Sequence, residues 1–569
     1  MSFDPGAALR ALVRAVARRR LDLVLIAGYG LLALLVTWPA VTTATTHLAG
    51  ERLDGWQSLF NLWWMREAIA TGSNPYFTPY MYHPEGTSLL LHTLSPLNAL
   101  PGALLSLLMD WITAFNLLQW IHYALGGYAG FRLAHHLCDD RLAAALAGAL
   151  YTFSPFHLGH GVGHLQLTAI EVLPFALLYL LRTLDEPGYR NPVLAGVFTV
   201  LSALASWYFL AYLLLFCVAV GAGRLIRLRR AALDRALLRR LGVVLVLVLV
   251  CLGPLIVGMI HLRATVDTVK GHSAWYWSAD IQNLFLPGNR SYWARYLLGI
   301  PSSWSGNRSE NTAYLGYLLL GAALYGLVRA REMPYRRSLG AAALVFLVFS
   351  LGPHPHWGGE IYKSIPLPYA WFAAIFPSGF GTAPMRASYG TNLALCLLAA
   401  GGFAAWRAGA MRPGPRARVV IVALIGVLAL VEHWPARHPV TRIKVPRFFL
   451  QIADEPPEYA IMDMRGFTDQ VYGIIRHHKP LVNGHIARDP EGPRKRLHAI
   501  PIVKAMMRPP GKGKAIEIKG GREQALADLR RLDIRYIVRK KRHSSRVEEE
   551  LLGLKRVYAG EGVRIYRVP

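Results

Sequence analysis

The segment 51–98 of this chain carries its most chemically informative residues, directly after a first long apolar segment. Asp54 and Gly55 stand near its start, and tryptophans and other large apolar residues follow at helical spacing. A helix so rich in tryptophan is typical of the headgroup zone of a membrane, where it lies along the membrane plane. The carboxylate of Asp54 would then lie near lipid headgroups and remain accessible to a compound outside the membrane.

Three histidines, His157, His160 and His164, are spaced three and four residues apart, so a helix would place them on one face, with Gln166 close behind. Histidines on one face can hold a divalent ion. They can also line a polar vestibule, because polar groups at the end of a membrane segment usually face a cavity and not lipid. We favour the vestibule and expect His160, His164 and Gln166 to face a substrate. We predict no cofactor, with a divalent metal as the alternative.

Two further segments mix aromatic, basic and acidic residues. In 262–312, Lys270, Trp275 and Arg308 suit a sugar and a phosphate, because aromatic faces stack on sugar rings and guanidinium groups grip phosphate oxygens. Glu310, at the start of an apolar segment, is a candidate second acid or ligand of an acceptor hydroxyl, and a helix cap is the alternative. In 353–389, Arg386 is our first choice for a phosphate ligand. An arginine at membrane depth needs a partner, unless it reaches the membrane surface.

The elements that must position these residues are long apolar segments. The chain has 569 residues, of which 53% are hydrophobic and 17% charged, and a bilayer core requires about 20 apolar residues per helix. We therefore predict an α-helical polytopic membrane protein with about eleven transmembrane helices. The spans are predicted near 21–43, 113–135, 142–157, 168–183, 192–206, 208–223, 241–261, 313–329, 338–352, 390–406 and 419–432.

Loop charge predicts the orientation of these spans. The net charge is +28, and part of that excess lies in short arginine-rich loops, as cytoplasmic loops should be, so nucleic acid is not required as a partner. We read 1–20 as a cytoplasmic N-terminus before a retained first span. The loops placed in the cytoplasm are Arg132–Arg141, Arg182–Arg190, Arg224–Arg240, Arg329–Arg337 and Arg407–Arg418. The segments placed outside are 44–112, 158–167, 262–312, 353–389 and everything after 432.

One alternative topology remains. Residues 96–110 could cross the membrane, although 15 residues with two prolines are short for a crossing. If they cross and 192–223 forms one long helix, only 136–190 changes sides. That arrangement would export Arg141, Arg182 and Arg190, so loop charge disfavours it.

After the last span, residues 434–569 contain 29 lysines and arginines against 15 aspartates and glutamates, a net charge of +14. Short β-like runs at Tyr459–Met464, Arg535–Val538, Arg556–Tyr558 and Val563–Val568 alternate with a helical stretch at Arg522–Leu532. We predict a small α/β domain on the outer face, after a transmembrane domain over 21–433. Its basic charge would attract lipid headgroups, phosphates or acidic glycans, or only keep it soluble. Arg508–Gly521 is predicted to be a mobile basic loop.

Several motifs together resemble the GT-C superfamily of membrane glycosyltransferases, especially a poorly characterised bacterial branch. They are the acidic residue after the first span, DGWQSLFNLWW, PYFTPYMYHPEGTSLLLHTLSPLN, SPFHLGHGVGHLQ, ENTAYLGY, and the C-terminal HHKPLVNGHIAR and LDIRYIV. The resemblance covers nearly the whole chain. It is specific for the superfamily and not for a sugar or an acceptor.

The resemblance implies an enzyme that takes a sugar from a polyprenyl-phosphate donor and passes it to an extracytoplasmic glycan, lipid or protein. The catalytic carboxylate of the first outer loop corresponds to Asp54, with Glu51 as the weaker candidate. Asp54 would be the general base, and a simple helix cap is the alternative. Gln57 and Tyr314, which lie in two of the motifs, are expected at the substrate. The first loop has LDG and no DxD, so a metal requirement is not favoured.

We expect such an enzyme to be multi-pass in a bacterial inner membrane and to contact membrane lipids. The rival interpretation is a flippase for lipid-linked glycans, or a non-catalytic assembly subunit of the same fold. The chain has no Walker loop, no dinucleotide-binding glycine fingerprint, no HExxH and no GxSxG, so ATP-driven transport is not expected.

Overall fold

We analysed a computed structural model of the chain. It describes residues 20–228, 234–266, 273–375, 382–409, 414–488, 490–507, 520–541, 548–549 and 552–569. The cytoplasmic N-terminus, the role of Lys270 and most of the basic loop Arg508–Gly521 lie outside the described residues. The predicted segments Arg224–Arg240, 262–312, 353–389 and Arg407–Arg418 lie partly outside them.

Each of the eleven apolar segments forms a helix. Their bounds are Arg20–Val36, Trp111–Cys138, Arg141–Thr152, Val172–Asp185, Arg190–Ala205, Trp207–Leu228, Arg235–Thr265, Tyr317–Arg329, Arg336–Ser350, Ser388–Ala408 and Pro415–Glu432. Within the described part of the chain, four helical stretches are long and apolar enough to cross a membrane: Leu165–Asp185, Trp207–Leu228, Arg235–Thr265 and Pro384–Ala408. The protein is therefore a largely helical membrane protein, and the number of eleven crossings stays a prediction.

Shorter elements join these helices. The helices are Arg52–Ala70, Pro96–Leu105, Pro155–His160, Leu165–Thr168, Gln282–Phe285, Ile300–Ser303 and Pro368–Ile375. The 3₁₀ turns are Ala40–Thr43, Ala274–Trp277, Tyr292–Tyr296, Arg308–Glu310 and Pro384–Ala387. Three antiparallel strand pairs join His47–Ala49 to Val440–Arg442, Phe77–Thr78 to Thr87–Ser88, and His356–Trp357 to Glu360–Ile361.

The loops gather into two groups, one at each end of the helix bundle. Among the arginine-rich loops, Arg407 pairs with Asp140, and Asp185 accepts from both Arg224 (3.2 Å) and Tyr335 (2.7 Å). The predicted outer segments likewise contact one another. The helix Ser388–Ala408 runs from one group to the other, about 31 Å for its 21 residues. The arginine-rich loops thus lie together at one end of the bundle, and the side of the membrane on which they lie stays a prediction.

The alternative topology is contradicted. The helix Pro96–Leu105 has 10 residues and spans only about 15 Å, half of a bilayer core. An extended residue, Ser206, divides 192–223 into two helices. Asp185, which the alternative would place on the side opposite to Arg224, pairs with Arg224 at 3.2 Å.

Close helix packing explains two of the glycines that lie inside apolar segments, Gly326 and Gly402. A Cβ on Gly402 would lie 2.4 Å from the carbonyl oxygen of Ala322. A Cβ on Gly326 would clash with the carbonyl oxygen of Leu398. The helices Tyr317–Arg329 and Ser388–Ala408 therefore approach closely only because both positions lack a side chain.

The chain after position 433 folds around a four-stranded sheet. The strand order is Ala460–Asp463, Ile534–Lys540, Val563–Arg567 and Lys555–Gly560, parallel at the first pair and antiparallel at the other two. The helices of this part are Arg447–Gln451, Phe467–His477, Glu491–Ala499, Pro501–Met507 and Gly521–Arg531. The predicted β-like runs and the predicted helical stretch are thus found as strands and a helix.

The environment predicted for the tryptophan-rich helix is wrong. Trp56, Trp63 and Trp64 are buried, and they do not face lipid headgroups. Trp56 packs on Tyr472 with ring centroids 4.8 Å apart, and Trp63 stacks on His478 at 5.8 Å. The helix Arg52–Ala70 therefore shares one hydrophobic core with the C-terminal part of the chain.

Candidate active site

The start of the helix Arg52–Ala70 holds Asp54 against a neighbouring loop. Gly50 has φ of +147°, and a Cβ there would lie 2.4 Å from the carbonyl oxygen of Val162, which accepts from the N–H of Glu51 at 2.6 Å. This close approach brings His164 Nε2 to 3.2 Å from Asp54 Oδ2. The N-cap residue is Glu51, so Asp54 sits in the first turn and is not the helix cap.

A buried ionic cluster lies next to this pair. The guanidinium of Arg386 grips the carboxylate of Glu310, with Nε 3.0 Å from Oε2, and Nη2 bonds to the other oxygen. His160 Nε2 lies 3.3 Å from Glu310 Oε2, and His164 Nε2 lies 3.8 Å from Oε1. His160 Nδ1 also lies 2.8 Å from the carbonyl oxygen of Phe156, so both ring nitrogens of His160 have a polar partner.

Charges in this cluster are set by burial and by partners. Burial alone would raise the pKa of Glu310, but Arg386 and His160 outweigh it and hold that pKa well below its usual range. Burial lowers the pKa of His164, and the opposing effect of Asp54 does not restore it. At neutral pH Glu310 is therefore an anion, and His164 is neutral and can donate from Nε2 to Asp54.

These groups border a chamber of about 660 Å³ between the helix bundle and the C-terminal part of the chain. Its polar lining residues include Asp54, Gln57, His92, His164, Gln166, Arg263, Arg386, His485 and Arg488. Its apolar lining residues include Leu204, Leu214, Leu215, Leu255, Met259, Phe349 and Phe372. The helix Arg235–Thr265, which supplies Leu255, Met259 and Arg263, exposes most of its surface outside the bundle. The chamber is thus lined both by ionisable groups, including the carboxylate of Asp54, and by apolar side chains of a long apolar helix.

The structure brings most of the residues singled out in the sequence together. Asp54, Gln57, His164, Gln166 and Arg386 line the chamber. His160 and Glu310 lie directly behind its wall, and both are about 1% exposed. Among the residues the structure describes, no group of three His, Cys, Asp or Glu side chains has the geometry of a metal site.

Four predicted residues lie elsewhere. Glu51 forms a two-point ion pair with Arg290 at 2.7 and 2.9 Å. Tyr314 donates to Glu432 at 2.6 Å, and Arg308 donates to the carbonyl of Ser302 at 2.8 Å. Trp275 is 43% exposed and lies outside the chamber wall.

Sequence reasoning missed the contribution of the C-terminal part to the chamber. His485 and Arg488 line it, and both belong to a motif, HHKPLVNGHIAR, that was assigned to a separate outer domain. The signal that could have identified them is in the motif itself, where His485 and Arg488 follow Gly484. His92 was also missed, although it lies in a quoted motif of the first loop.

His92 joins the first outer loop to the C-terminal part and gives a testable pH dependence. Its Nδ1 accepts from the Ala487 N–H (3.1 Å), and its Nε2 donates to Asn61 Oδ1 (3.1 Å). Burial, helped by His485, lowers the pKa of His92 from 6.5 to about 3. As the pH falls, His92 is therefore protonated in the unfolded chain before it is protonated in the folded chain. The free energy of unfolding is unaffected by His92 above pH 6.5 and decreases as the pH falls below that value.

We expect acidification from pH 7 to pH 5 to cost the wild type about 2 kcal/mol through His92. His92→Asn keeps an acceptor for Ala487 but does not titrate, so its loss of stability over the same range should be smaller by that amount. Chemical denaturation of both proteins in detergent at the two pH values measures the difference. Equal losses in the two proteins would contradict this role of His92.

Comparison with known proteins supports the fold. The family model described as Domain of unknown function (DUF6311) matches residues 23–388. No curated protein matches the chain. The cryo-EM structure of the arabinofuranosyltransferase AftD from Mycobacteria aligns with a TM-score of 0.60 at 17% identity, over 97% of this chain and 40% of that protein. The chain therefore spans about two fifths of the length of that relative.

Two other solved structures align with lower scores. They are ArnT from Cupriavidus metallidurans bound to undecaprenyl phosphate (TM-score 0.48, 12% identity, 96% of this chain and 98% of that one) and the Archaeoglobus fulgidus oligosaccharyltransferase (0.48, 14%, 91% and 69%). The fold comparison rests on the arabinofuranosyltransferase, a GT-C protein, and it confirms the GT-C-type fold that the sequence motifs implied.

Proposed function

The chain belongs to the family described as Domain of unknown function (DUF6311), and we propose that it is an integral membrane glycosyltransferase. In this proposal it transfers a sugar from a polyprenyl-phosphate donor to an extracytoplasmic acceptor. One observation carries the proposal: a single chamber is lined by the carboxylate of Asp54, the guanidinium of Arg386 and apolar side chains of the long apolar helix Arg235–Thr265. A lipid-borne phosphosugar likewise combines an apolar tail with a polar, anionic head.

The reaction needs a base more than an acid. The acceptor hydroxyl attacks the anomeric carbon, a new C–O bond forms, and the bond from that carbon to the phosphate oxygen breaks. The electron pair leaves with the polyprenyl phosphate, which is already a stabilised anion. The hydroxyl proton passes to Asp54, whose side chain is 43% exposed and so accessible from the chamber.

The surrounding residues hold this geometry. His164 donates to one oxygen of Asp54 and leaves the other oxygen to accept the proton. Glu310 is buried and fully engaged, so we assign it as a positioning residue that fixes Arg386 at the chamber wall. Arg386 also lies 5.3 Å from the ring of Tyr208, which limits its freedom further. From this position its N–H groups can meet the phosphate of the donor.

A deletion strain tests the proposed class of activity. Loss of the protein should lead to accumulation of one polyprenyl-phosphate sugar and to loss of one sugar from an envelope glycan, lipid or protein. Mass spectrometry of the lipid extract and compositional analysis of the envelope measure both. A flippase would instead leave its lipid-linked glycan on the inner leaflet, so accumulation confined to that leaflet would contradict a transferase.

A further inference from the structure

Five exposed apolar side chains stand close together in the segment 292–300, and none of them lines the chamber. They are Tyr292, Trp293, Tyr296, Leu298 and Ile300, which together are called the aromatic patch. The centroids of the three aromatic rings lie 5.1 to 6.3 Å apart. Exposed apolar patches of this kind commonly mark a surface that contacts lipid or another molecule.

The aromatic patch is attached to the end of the helix Pro415–Glu432. Trp293 Nε1 donates to the carbonyl oxygen of Val431 at 2.8 Å, and the N–H of Tyr292 donates to that of Trp434 at 2.9 Å. One face of this helix carries exposed apolar residues at helical spacing, which are Val420, Leu424, Val427, Leu428 and Val431. That face ends at Val431, where Trp293 begins, so the aromatic patch continues it.

The exposed apolar face of this helix is too short for a bilayer. From Val420 to Val431 it measures about 17 Å, whereas the hydrocarbon core of a bilayer is about 30 Å thick. The helix Tyr317–Arg329 packs against it and has only 13 residues, or about 20 Å. The N–H of Tyr317 donates to the carboxylate of Glu432 at 2.6 Å, so the two helices end at the same level. Only an apolar surface beyond these two ends can complete the face.

The charge beside the aromatic patch is positive. The guanidinium of Arg295 stacks on the ring of Tyr292, 3.5 Å from its centroid, and remains exposed. The segment 282–303 contains no aspartate or glutamate. Tryptophan and tyrosine are enriched at the headgroup level of a membrane, and a guanidinium there can bind phosphate oxygens. The aromatic patch and its arginine therefore match both parts of a phospholipid.

The turn at Leu298 and Gly299 presents a leucine to the surroundings. Both residues have left-handed backbone angles, with φ of 48° and 85°, and the side chain of Leu298 is 96% exposed. This conformation is costly for leucine. Transfer of a leucine side chain from water into apolar surroundings is favourable enough to offset that cost. Contact with acyl chains would therefore explain why a leucine occupies this turn.

We propose that the aromatic patch inserts into the interfacial layer of the membrane and completes the short apolar face of the helices Tyr317–Arg329 and Pro415–Glu432. Leu298 and Ile300 contact the upper acyl chains, and Arg295 binds the phosphate of a phospholipid. This contact with lipid requires no transferase activity.

Spin labelling of the full chain in lipid nanodiscs tests the depth of Leu298. The four cysteines are replaced by alanine, and the discs contain phosphatidylethanolamine and phosphatidylglycerol. A nitroxide is attached at Leu298→Cys, and its collisions with oxygen and with a nickel chelate are measured, since oxygen concentrates among acyl chains and the chelate stays in water. Val250→Cys, on an exposed position of the long apolar helix Arg235–Thr265, is the control for lipid. Leu450→Cys, on an exposed leucine of the C-terminal part, is the control for water.

We expect the label at Leu298 to be more accessible to oxygen than to the chelate, as at Val250, and the label at Leu450 to show the reverse. A label at Leu298 that behaves like the one at Leu450 would lie in water and contradict insertion. A label shielded from both reagents would mean that a second copy of the chain covers the aromatic patch, which also contradicts contact with lipid.

A second substitution retains the native cysteines. Asparagine adopts the left-handed conformation more readily than leucine, so Leu298→Asn should stabilise the turn if the turn lies in water. In lipid the same substitution removes apolar contact, so we expect the thermal unfolding midpoint in nanodiscs to fall by about 2 °C. An equal or higher midpoint for Leu298→Asn would overturn the proposal.

Discussion

Asp54→Asn should lower sugar transfer by about 10² to 10⁴-fold, because the amide keeps the shape of the carboxylate but cannot take the proton of the acceptor hydroxyl. The amide oxygen can still accept from His164, which lies 3.2 Å away, so the fold and the chamber should survive. The rate is measured in nanodiscs with the donor from the deletion strain. Thermal unfolding and the amount of membrane-inserted protein should match those of the wild type.

Asp139→Asn is the matched control for this substitution. Asp139 is at the opposite end of the bundle, its side chain is 98% exposed, and its φ of 49° is a conformation that asparagine adopts readily. The Asp139→Asn variant should transfer sugar at the wild-type rate. Equal rates for Asp54→Asn and Asp139→Asn would favour a transporter or an assembly subunit of the same fold.

The second large effect concerns the buried pair of Glu310 and Arg386. Arg386→Met removes the main partner of a carboxylate that is 1% exposed, and an unpaired buried charge of this kind costs about 3–5 kcal/mol of stability. The unfolding free energy should fall by that amount, and transfer should be lost. The double variant Glu310→Leu, Arg386→Met removes both charges, so it should be more stable than the single variant and still inactive.

An exposed ion pair provides the control for that experiment. Arg496 and Glu85 form a similar two-point contact, but their side chains are 62% and 41% exposed, and such pairs contribute about 0–1 kcal/mol. Arg496→Met should therefore leave the unfolding free energy nearly unchanged. If Arg386→Met were equally harmless, the ionic cluster would not hold the site together.

The helical bundle could be predicted from the sequence because a bilayer imposes a simple rule on it. A helix that spans a bilayer must be apolar and must satisfy its own backbone hydrogen bonds, so the helices of the bundle are visible in the sequence as runs of apolar residues. The arginine-rich loops could be assigned to one end of the helix bundle because the membrane also imposes a charge bias on short loops. The contact of Asp185 with Arg224 agrees with that assignment.

Residues that lie together in the candidate site could be singled out from the sequence, but their arrangement could not. Glu310 and Arg386 were each singled out, but for separate roles, since nothing local indicates that two loops 76 residues apart form a pair. Trp63 was predicted at the lipid surface because its partner, His478, lies more than 400 residues along the chain. For the same reason the sequence could not reveal that His485 and Arg488 close the chamber.

The lipid that remains bound to Asp54→Asn tests the central claim most directly. The variant is purified from cells that make the donor, and its bound lipids are identified by native mass spectrometry beside those of the wild type and of Asp139→Asn. We predict intact polyprenyl-phosphate sugar on Asp54→Asn, and polyprenyl phosphate that has lost its sugar on the two active proteins. The same lipids in the same proportions on all three proteins would contradict the assignment of Asp54 as the base that drives transfer.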